Sequence, residues 1–241
     1  MSEGVRLNKF LSEAGYCSRR KADEFIERKK VFINDEVATV GMKVHTGDIV
    51  RVGTKEIKPE KGLVLIAFNK PKGVTCTAHR GDKSNIMDFI NYDTKLQYIG
   101  RLDKDSEGLI LMTNNGDISN AISKSKNGHE KEYIVTVNKD ISPEFLQNMS
   151  TGVHIMDKDT GESWLTKPCK VNKIGNKTFG IILTQGLKRQ IRRMCEKLGY
   201  RVVSLKRLRV MNIELGDLPV GQYRDLTNSE REELKKMLKE K

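Results

Sequence analysis

Two hydrophobic periods succeed each other along the first fifty residues. Leu7, Phe10, Leu11 and Ala14 recur at i, i+3, i+4 and i+7, the spacing that lines one face of a helix. Gly15 is placed to end that helix, since glycine enters the left-handed region at little cost. Ser18 then reads as the N-cap of a second helix, whose apolar side is Ala22, Phe25 and Ile26. Beyond it the pattern becomes strand-like at Val31-Phe32-Ile33, Glu36-Val37-Ala38-Thr39 and Ile49-Val50-Arg51-Val52. Asn34-Asp35 supplies a two-residue turn, and Thr46-Gly47-Asp48 punctuates the approach to the last strand.

From Gly53 to Gly62 both periods stop. Glycines bound this stretch and charges dominate it, the composition of a connector. We therefore assign residues 1–58 to a small domain, 59–62 to a linker and 63–241 to a larger domain. Strands are expected in the larger domain at Leu63 to Phe68, Leu96 to Ile99, Leu109 to Thr113, Tyr133 to Val137 and Phe179 to Leu183. One helix begins at Ser142-Pro143, a cap followed by proline at the first helical position, and stops near Gly152. Another spans Gln190 to Leu198, burying Ile191, Met194, Cys195 and Leu198 before Gly199. A third follows the capping box Thr227-Asn228-Ser229-Glu230. Strands and helices in irregular order point to an α+β fold.

Charge narrows the choice of partner. The 241 residues carry a net charge of +12, which favours a polyanion. No apolar run approaches the roughly 20 residues that span a bilayer, and Met1-Ser2-Glu3-Gly4-Val5-Arg6 lacks a signal-peptide core. A cytoplasmic protein with no membrane partner is expected. Cys17, Cys76, Cys169 and Cys195 are scattered, as are the four histidines, so no metal site is expected. Residues 1–58 hold only +3 of the excess charge, whereas Lys188 to Arg209 holds nine bases and one acid. Such a concentration reads as a surface for a phosphate backbone.

The chemistry centres on Gly100-Arg101-Leu102-Asp103-Lys104-Asp105-Ser106-Glu107-Gly108-Leu109, an acidic turn between two strand-like segments. Asp103, Asp105, Glu107 and Gly108 fit the opening of a calcium loop, but Asn114 stands where that loop needs a bidentate glutamate. A plain surface turn is the other simple reading. On the wheel of the 190–198 helix, Arg193 points away from the core and Arg192 sits at the edge of the apolar stripe. An arginine at that edge either reaches out to solvent or pairs with a partly buried carboxylate.

The first fifty residues resemble the S4 RNA-binding domain. The resemblance is carried by Arg6-Leu7-Asn8-Lys9-Phe10-Leu11, Ser18-Arg19-Arg20-Lys21-Ala22, Val31-Phe32-Ile33-Asn34 and Gly47-Asp48-Ile49-Val50. It implies that the helical face, with Arg6, Lys9, Arg19, Arg20 and Lys21, binds structured RNA. Further on stand Asn69-Lys70-Pro71-Lys72-Gly73, Gly100-Arg101-Leu102-Asp103, Lys131-Glu132-Tyr133-Ile134-Val135 and Gly186-Leu187-Lys188-Arg189-Gln190-Ile191-Arg192-Arg193-Met194. In this order they resemble the bacterial ribosomal RNA pseudouridine synthases of the RsuA type, most closely the large-subunit members of the RluF kind.

The resemblance implies a mainly antiparallel catalytic sheet and, residue by residue, a set of roles. Asp103 matches the essential aspartate, Arg101 the arginine that enters the RNA stack, and Tyr133 the tyrosine packed on the flipped base. Arg192 matches the partner of the aspartate, and Ile191 the apolar residue beside it. Lys188, Arg189 and Arg193 are expected on the RNA, although Lys188 stands where asparagine is usual. The implied reaction needs no cofactor, and the chain has no Walker loop or Gly-x-Gly-x-x-Gly run. Ribosomal RNA, free or within an assembly intermediate, is the implied partner, and a monomer is the default expectation. A non-enzymatic RNA-binding factor and a methyltransferase are the competing classes.

Overall fold

The structure is a computed structural model that describes residues 4–58, 62–77, 79, 81–90, 92–124, 127–157 and 159–239. Of the linker 59–62, only Gly62 lies among them. The chain divides into two compact units. The first takes the described part of Met1–Leu63 with Tyr92–Leu96 and Asn114–Gly116, and the second takes the remainder.

In the first unit, β1 (Val5–Arg6) leads into α1 (Leu7–Glu13) and then α2 (Arg19–Glu27). Ser18 caps α2 as its position suggested, its Oγ accepting from the Lys21 N–H at 3.2 Å. The short strands β2 (Val31–Ile33), β3 (Glu36–Val37), β4 (Lys43–Val44), β5 (Val50–Val52) and β6 (Lys55–Ile57) follow. They form a β3-β2-β5-β6 sheet and a β1-β4 pair, all antiparallel. Asn34 and Asp35 turn between β2 and β3 with φ of 49° and 72°, the left-handed geometry of a tight hairpin. Leu7, Leu11, Ala22, Ile26, Val31 and Val50 bury the shared core. One expectation fails here. Lys55–Ile57, read as connector, is strand β6, because Ile57 is buried while Lys55 and Glu56 stay exposed.

In the second unit come β7 (Leu65–Lys70), α3 (Ile86–Ile90), β8 (Gln97–Ile99), β9 (Glu107–Thr113), α4 (Gly116–Ser123) and β10 (Lys131–Val137). They are followed by α5 (Pro143–Thr151), β11 (His154–Met156), β12 (Ser163–Leu165), β13 (Lys170–Gly175), β14 (Thr178–Leu183) and α6 (Gln190–Lys197). The chain ends in β15 (Val202–Val210), β16 (Ile213–Glu214), β17 (Tyr223–Asp225) and α7 (Asn228–Lys239). Among the described residues the main sheet has the order β13-β14-β10-β15-β9-β7-β17, with β8 beside β9 and β16 beside β15.

Every pairing in that sheet is antiparallel except β15 with β9, which run parallel through Lys206–Glu107 and Arg207–Gly108. Two cores lie near this junction, and β15 contributes to both, Leu205 to one and Val210 to the other. On one side α5 and α6 cover β10 and β14 through Val135, Phe145, Met149, Phe179, Ile181, Ile191 and Met194. On the other, Leu65, Ala67, Leu109 and Leu111 pack with Ile122, Ile213 and Leu234. β9 is buried on both faces, which accounts for its unbroken apolar run. β15 was not anticipated. Lys206, Arg207 and Arg209 hide its strand pattern, yet it lies at the centre of the sheet. None of the described helices is long and apolar enough to cross a membrane.

Candidate active site

The acidic turn leaves β8, enters at Gly100 with φ of +69°, and rejoins the sheet at β9 beside the parallel junction. Its backbone is held from several directions. Leu102 is buried and its N–H donates to Cys76 Sγ at 3.4 Å. The Ser106 N–H donates to the Asp103 carbonyl at 3.0 Å, and the Gly73 N–H to the Lys104 carbonyl at 2.8 Å. Arg101 stays exposed while the Asp103 side chain is one-third exposed. The turn therefore presents its carboxylate on a fixed loop. That is the preorganisation a reacting group needs.

Opposite the turn stands the first turn of α6. Its N-cap residue, Arg189, adopts a left-handed conformation with φ of 52°, and the apolar stripe Ile191, Met194 and Cys195 anchors the helix. That anchoring throws Arg189 and Arg192 onto the acidic turn. Arg189 Nη1 lies 3.6 Å from Asp103 Oδ2 and 3.3 Å from Asp105 Oδ1. Arg192 places Nε 3.8 Å from Asp103 Oδ2 and Nη2 3.2 Å from Asp105 Oδ2. The same Nη2 donates to the Asp105 carbonyl and to Ser106 Oγ, at 3.2 and 3.1 Å. Two carboxylates thus face two guanidinium groups, and Asp103 keeps its remaining surface open. The expected pairing of Arg192 with a partly buried acid is present in this geometry.

Behind the turn lie cations that the sequence did not single out. Lys70, fully buried at the end of β7, donates to the carbonyls of Pro71 and Val74 at 2.9 and 2.8 Å. Burial pushes its pKa down, while Cys76, Asp103 and Asp105 pull it back up. Lys70 belongs to the Asn69-to-Gly73 motif, and its side chain turns inward. Burial also lowers Lys131, to about 8, with Arg207 adding to the shift. Arg207 itself is 2% exposed and reaches the backbone of the acidic turn.

Other candidate residues fall in different places. Tyr133, on β10, is partly buried against the core that holds Ile191 and sits opposite Arg207 in the ladder. Arg193, expected to face outward, instead meets the buried Asp157 at 3.0 Å. Lys188 is exposed but pairs with Asp157 at 3.6 Å and with Asp159. The two bases tie α6 to the β11–β12 hairpin. The wheel misread Arg193 because its partner comes from another element.

The basic run 188–209 is corrected in the same way. Lys188, Arg189, Arg192, Arg193 and Arg209 meet acids, and Arg207 is buried against carbonyls. Most of that charge is committed within the protein. Arg6, Lys9, Arg19, Arg20 and Lys21 belong to the first unit, where Arg6, Arg19 and Arg20 are exposed and Lys21 meets Glu24 at 2.6 Å. Among the described residues no group of three or more His, Cys, Asp or Glu is placed to hold a metal ion.

Comparison with known proteins gives this geometry a context. A family model described as RNA pseudouridylate synthase matches residues 64–197, and one described as the S4 domain matches residues 5–50. These two regions contain the S4-like start and all four ordered motifs. The chain is 50% identical over 236 residues to the dual-specificity RNA pseudouridine synthase RluF of Escherichia coli (strain K12), spanning 97% of this chain and 79% of that protein. It is 33% identical over 234 residues to the ribosomal large subunit pseudouridine synthase B of Bacillus subtilis (strain 168), covering 95% of each. A solved structure described as a pseudouridylate synthase superposes with a TM-score of 0.69 at 30% identity, covering 95% of this chain and 99% of that one.

Proposed function

This chain belongs to the RNA pseudouridylate synthase family, and from that premise we propose that it converts a uridine of large-subunit ribosomal RNA into pseudouridine. The observation that carries the proposal is the Asp103 carboxylate, one-third exposed on a fixed turn and faced by Arg189 and Arg192. The Bacillus relative's name supports the large subunit as target, and the Escherichia coli relative's name supports a second RNA substrate. A monomer working in the cytoplasm on free ribosomal RNA or an assembly intermediate suits the charge of +12.

The reaction is an isomerisation. The bond from N1 to C1′ breaks, the uracil turns, C5 joins C1′, and one proton leaves C5 while N1 gains one. No electrons or groups are exchanged with another molecule, so the balance calls for no cofactor. Folded RNA shields the glycosidic bond, so the nucleotide must first flip out at a cost of a few kcal/mol. Exposed Arg101 fills the gap it leaves. Tyr133 packs against the extruded base beside Ile191, and Tyr133 or Asp103 assists loss of the C5 proton. Asp103 attacks as nucleophile, at C1′ or at C6, with Arg192 orienting its carboxylate. Arg189, Lys188 and Arg193 flank the entry, and Arg6, Lys9, Arg19, Arg20 and Lys21 grip RNA backbone on the S4-like unit.

Carbodiimide mapping of all RNA from cells with and without the gene tests the substrate. Loss of a pseudouridine stop in large-subunit RNA supports the assignment. An unchanged large-subunit map would overturn it.

A further inference from the structure

Arg207 has no place in the chemistry above, yet it is among the largest fully buried side chains, at 2% exposure. A guanidinium so far from water needs a reason, because desolvating a charge costs several kcal/mol. Its contacts supply one. Nε donates to the Leu109 carbonyl at 2.6 Å and Nη1 to the Arg101 carbonyl at 3.5 Å. These two carbonyls lie on either side of Asp103 along the chain, so one side chain spans both ends of the acidic turn.

The backbone of Arg207 is equally committed. It pairs with Gly108 in the only parallel junction of the sheet's described residues and with Tyr133 across β10. Gly108 has φ of +107°, and a Cβ there would lie 2.6 Å from the Arg207 nitrogen and closer still to its carbonyl oxygen. The close approach leaves no slack between β9 and β15. A single residue therefore connects Tyr133, the start of β9 and the backbone just before Asp103. Its Nη2 is buried without a hydrogen-bond partner. An orphaned donor of that kind is tolerated where the other contacts fix the side chain's position.

We propose that Arg207 is a positioning residue: it sets the distance between the Asp103 turn and Tyr133 across the β9–β15 junction. This rests on the function proposed above. It extends the site to a residue that touches neither substrate nor the reacting atoms. Arg207→Met removes the desolvation cost of the cation together with two hydrogen bonds, so its effects on stability oppose each other. A misplacement of about 1 Å, by contrast, can cost about 100-fold in rate.

Arg207→Met is therefore expected to keep Tm within a few degrees and KM for RNA within about twofold, while kcat falls about 100-fold. Arg207→Lys retains the charge but lacks the planar fork that spans the two carbonyls, so kcat should be intermediate. Backbone hydrogen exchange over residues 100–109 should quicken in both variants. A folded Arg207→Met or Arg207→Lys enzyme with wild-type kcat and unaltered exchange over 100–109 would overturn the proposal. Wild-type protein that forms no pseudouridine would count against the proposed function instead, and exchange over 100–109 would still decide the role of Arg207.

Discussion

Arg192 Nε stands 3.8 Å from the Asp103 carboxylate and has no hydrogen-bond partner, while the Nη2 of the same guanidinium grips Asp105 and Ser106. The guanidinium is thus fixed by one acid and aimed at the other. Only a planar, forked cation can do both. Arg192→Lys is expected to lower kcat at least tenfold with little change in RNA affinity, measured by single-turnover kinetics and filter binding. Full activity in the lysine variant would show that point charge alone suffices.

Asp157 joins the β11–β12 hairpin to α6. Its carboxyl is held below the usual range, first by the Asp159 N–H and then by Arg193. A depressed carboxyl stabilises the fold above its unfolded pKa, and that contribution fades as pH falls through the folded value. Asp157→Asn should lower Tm by several degrees at pH 7 and reduce the acid dependence of Tm. Thermal melts from pH 7 down to pH 3 check both effects.

Lys131 gives a slope of the same sign, in a higher pH window. Its pKa is lowered from 10.5 to about 8, by burial first and Arg207 second. Between these values the unfolded chain holds the proton more tightly, so stability rises as pH climbs through the window. In Lys131→Met that component disappears. Urea unfolding at pH 7.5 and 9.5 should show a smaller gain for the variant than for the wild type.

Gly108 tests the junction between β9 and β15. Alanine there would combine a φ of +107° with a Cβ pressed into Arg207 backbone. The loss should exceed about 1 kcal/mol in urea unfolding. An alanine variant of unchanged stability would mean that the two strands can part cheaply.

What could be read from the chain was mostly local. Ser142-Pro143 starts α5, with Ser142 Oγ accepting from the Phe145 N–H at 3.1 Å. Thr227 and Glu230 form the reciprocal box expected of them, at 3.2 and 2.8 Å. Each signal lies within four residues, so neighbours along the chain suffice. The Asp103 turn was legible for a similar reason, since strands flank it, whereas its role and that of Arg192 were implied by the family resemblance. Partners distant in sequence were not legible. Arg207 looks like one more base in a basic run until Leu109 and Arg101, about a hundred residues earlier, are folded onto it. Arg193 meets Asp157 from another hairpin. Lys55–Ile57 is a strand because β5 offers it an edge, not because its own composition demands one.

The central claim is that the Asp103 carboxylate performs the chemistry while other residues hold the RNA. Asp103→Asn keeps the shape of the side chain and removes its charge. Incubated with large-subunit ribosomal RNA, this variant should bind within about threefold of wild type yet form pseudouridine at least about a thousandfold more slowly. Pseudouridine formation at the wild-type rate by a folded Asp103→Asn protein would contradict the account.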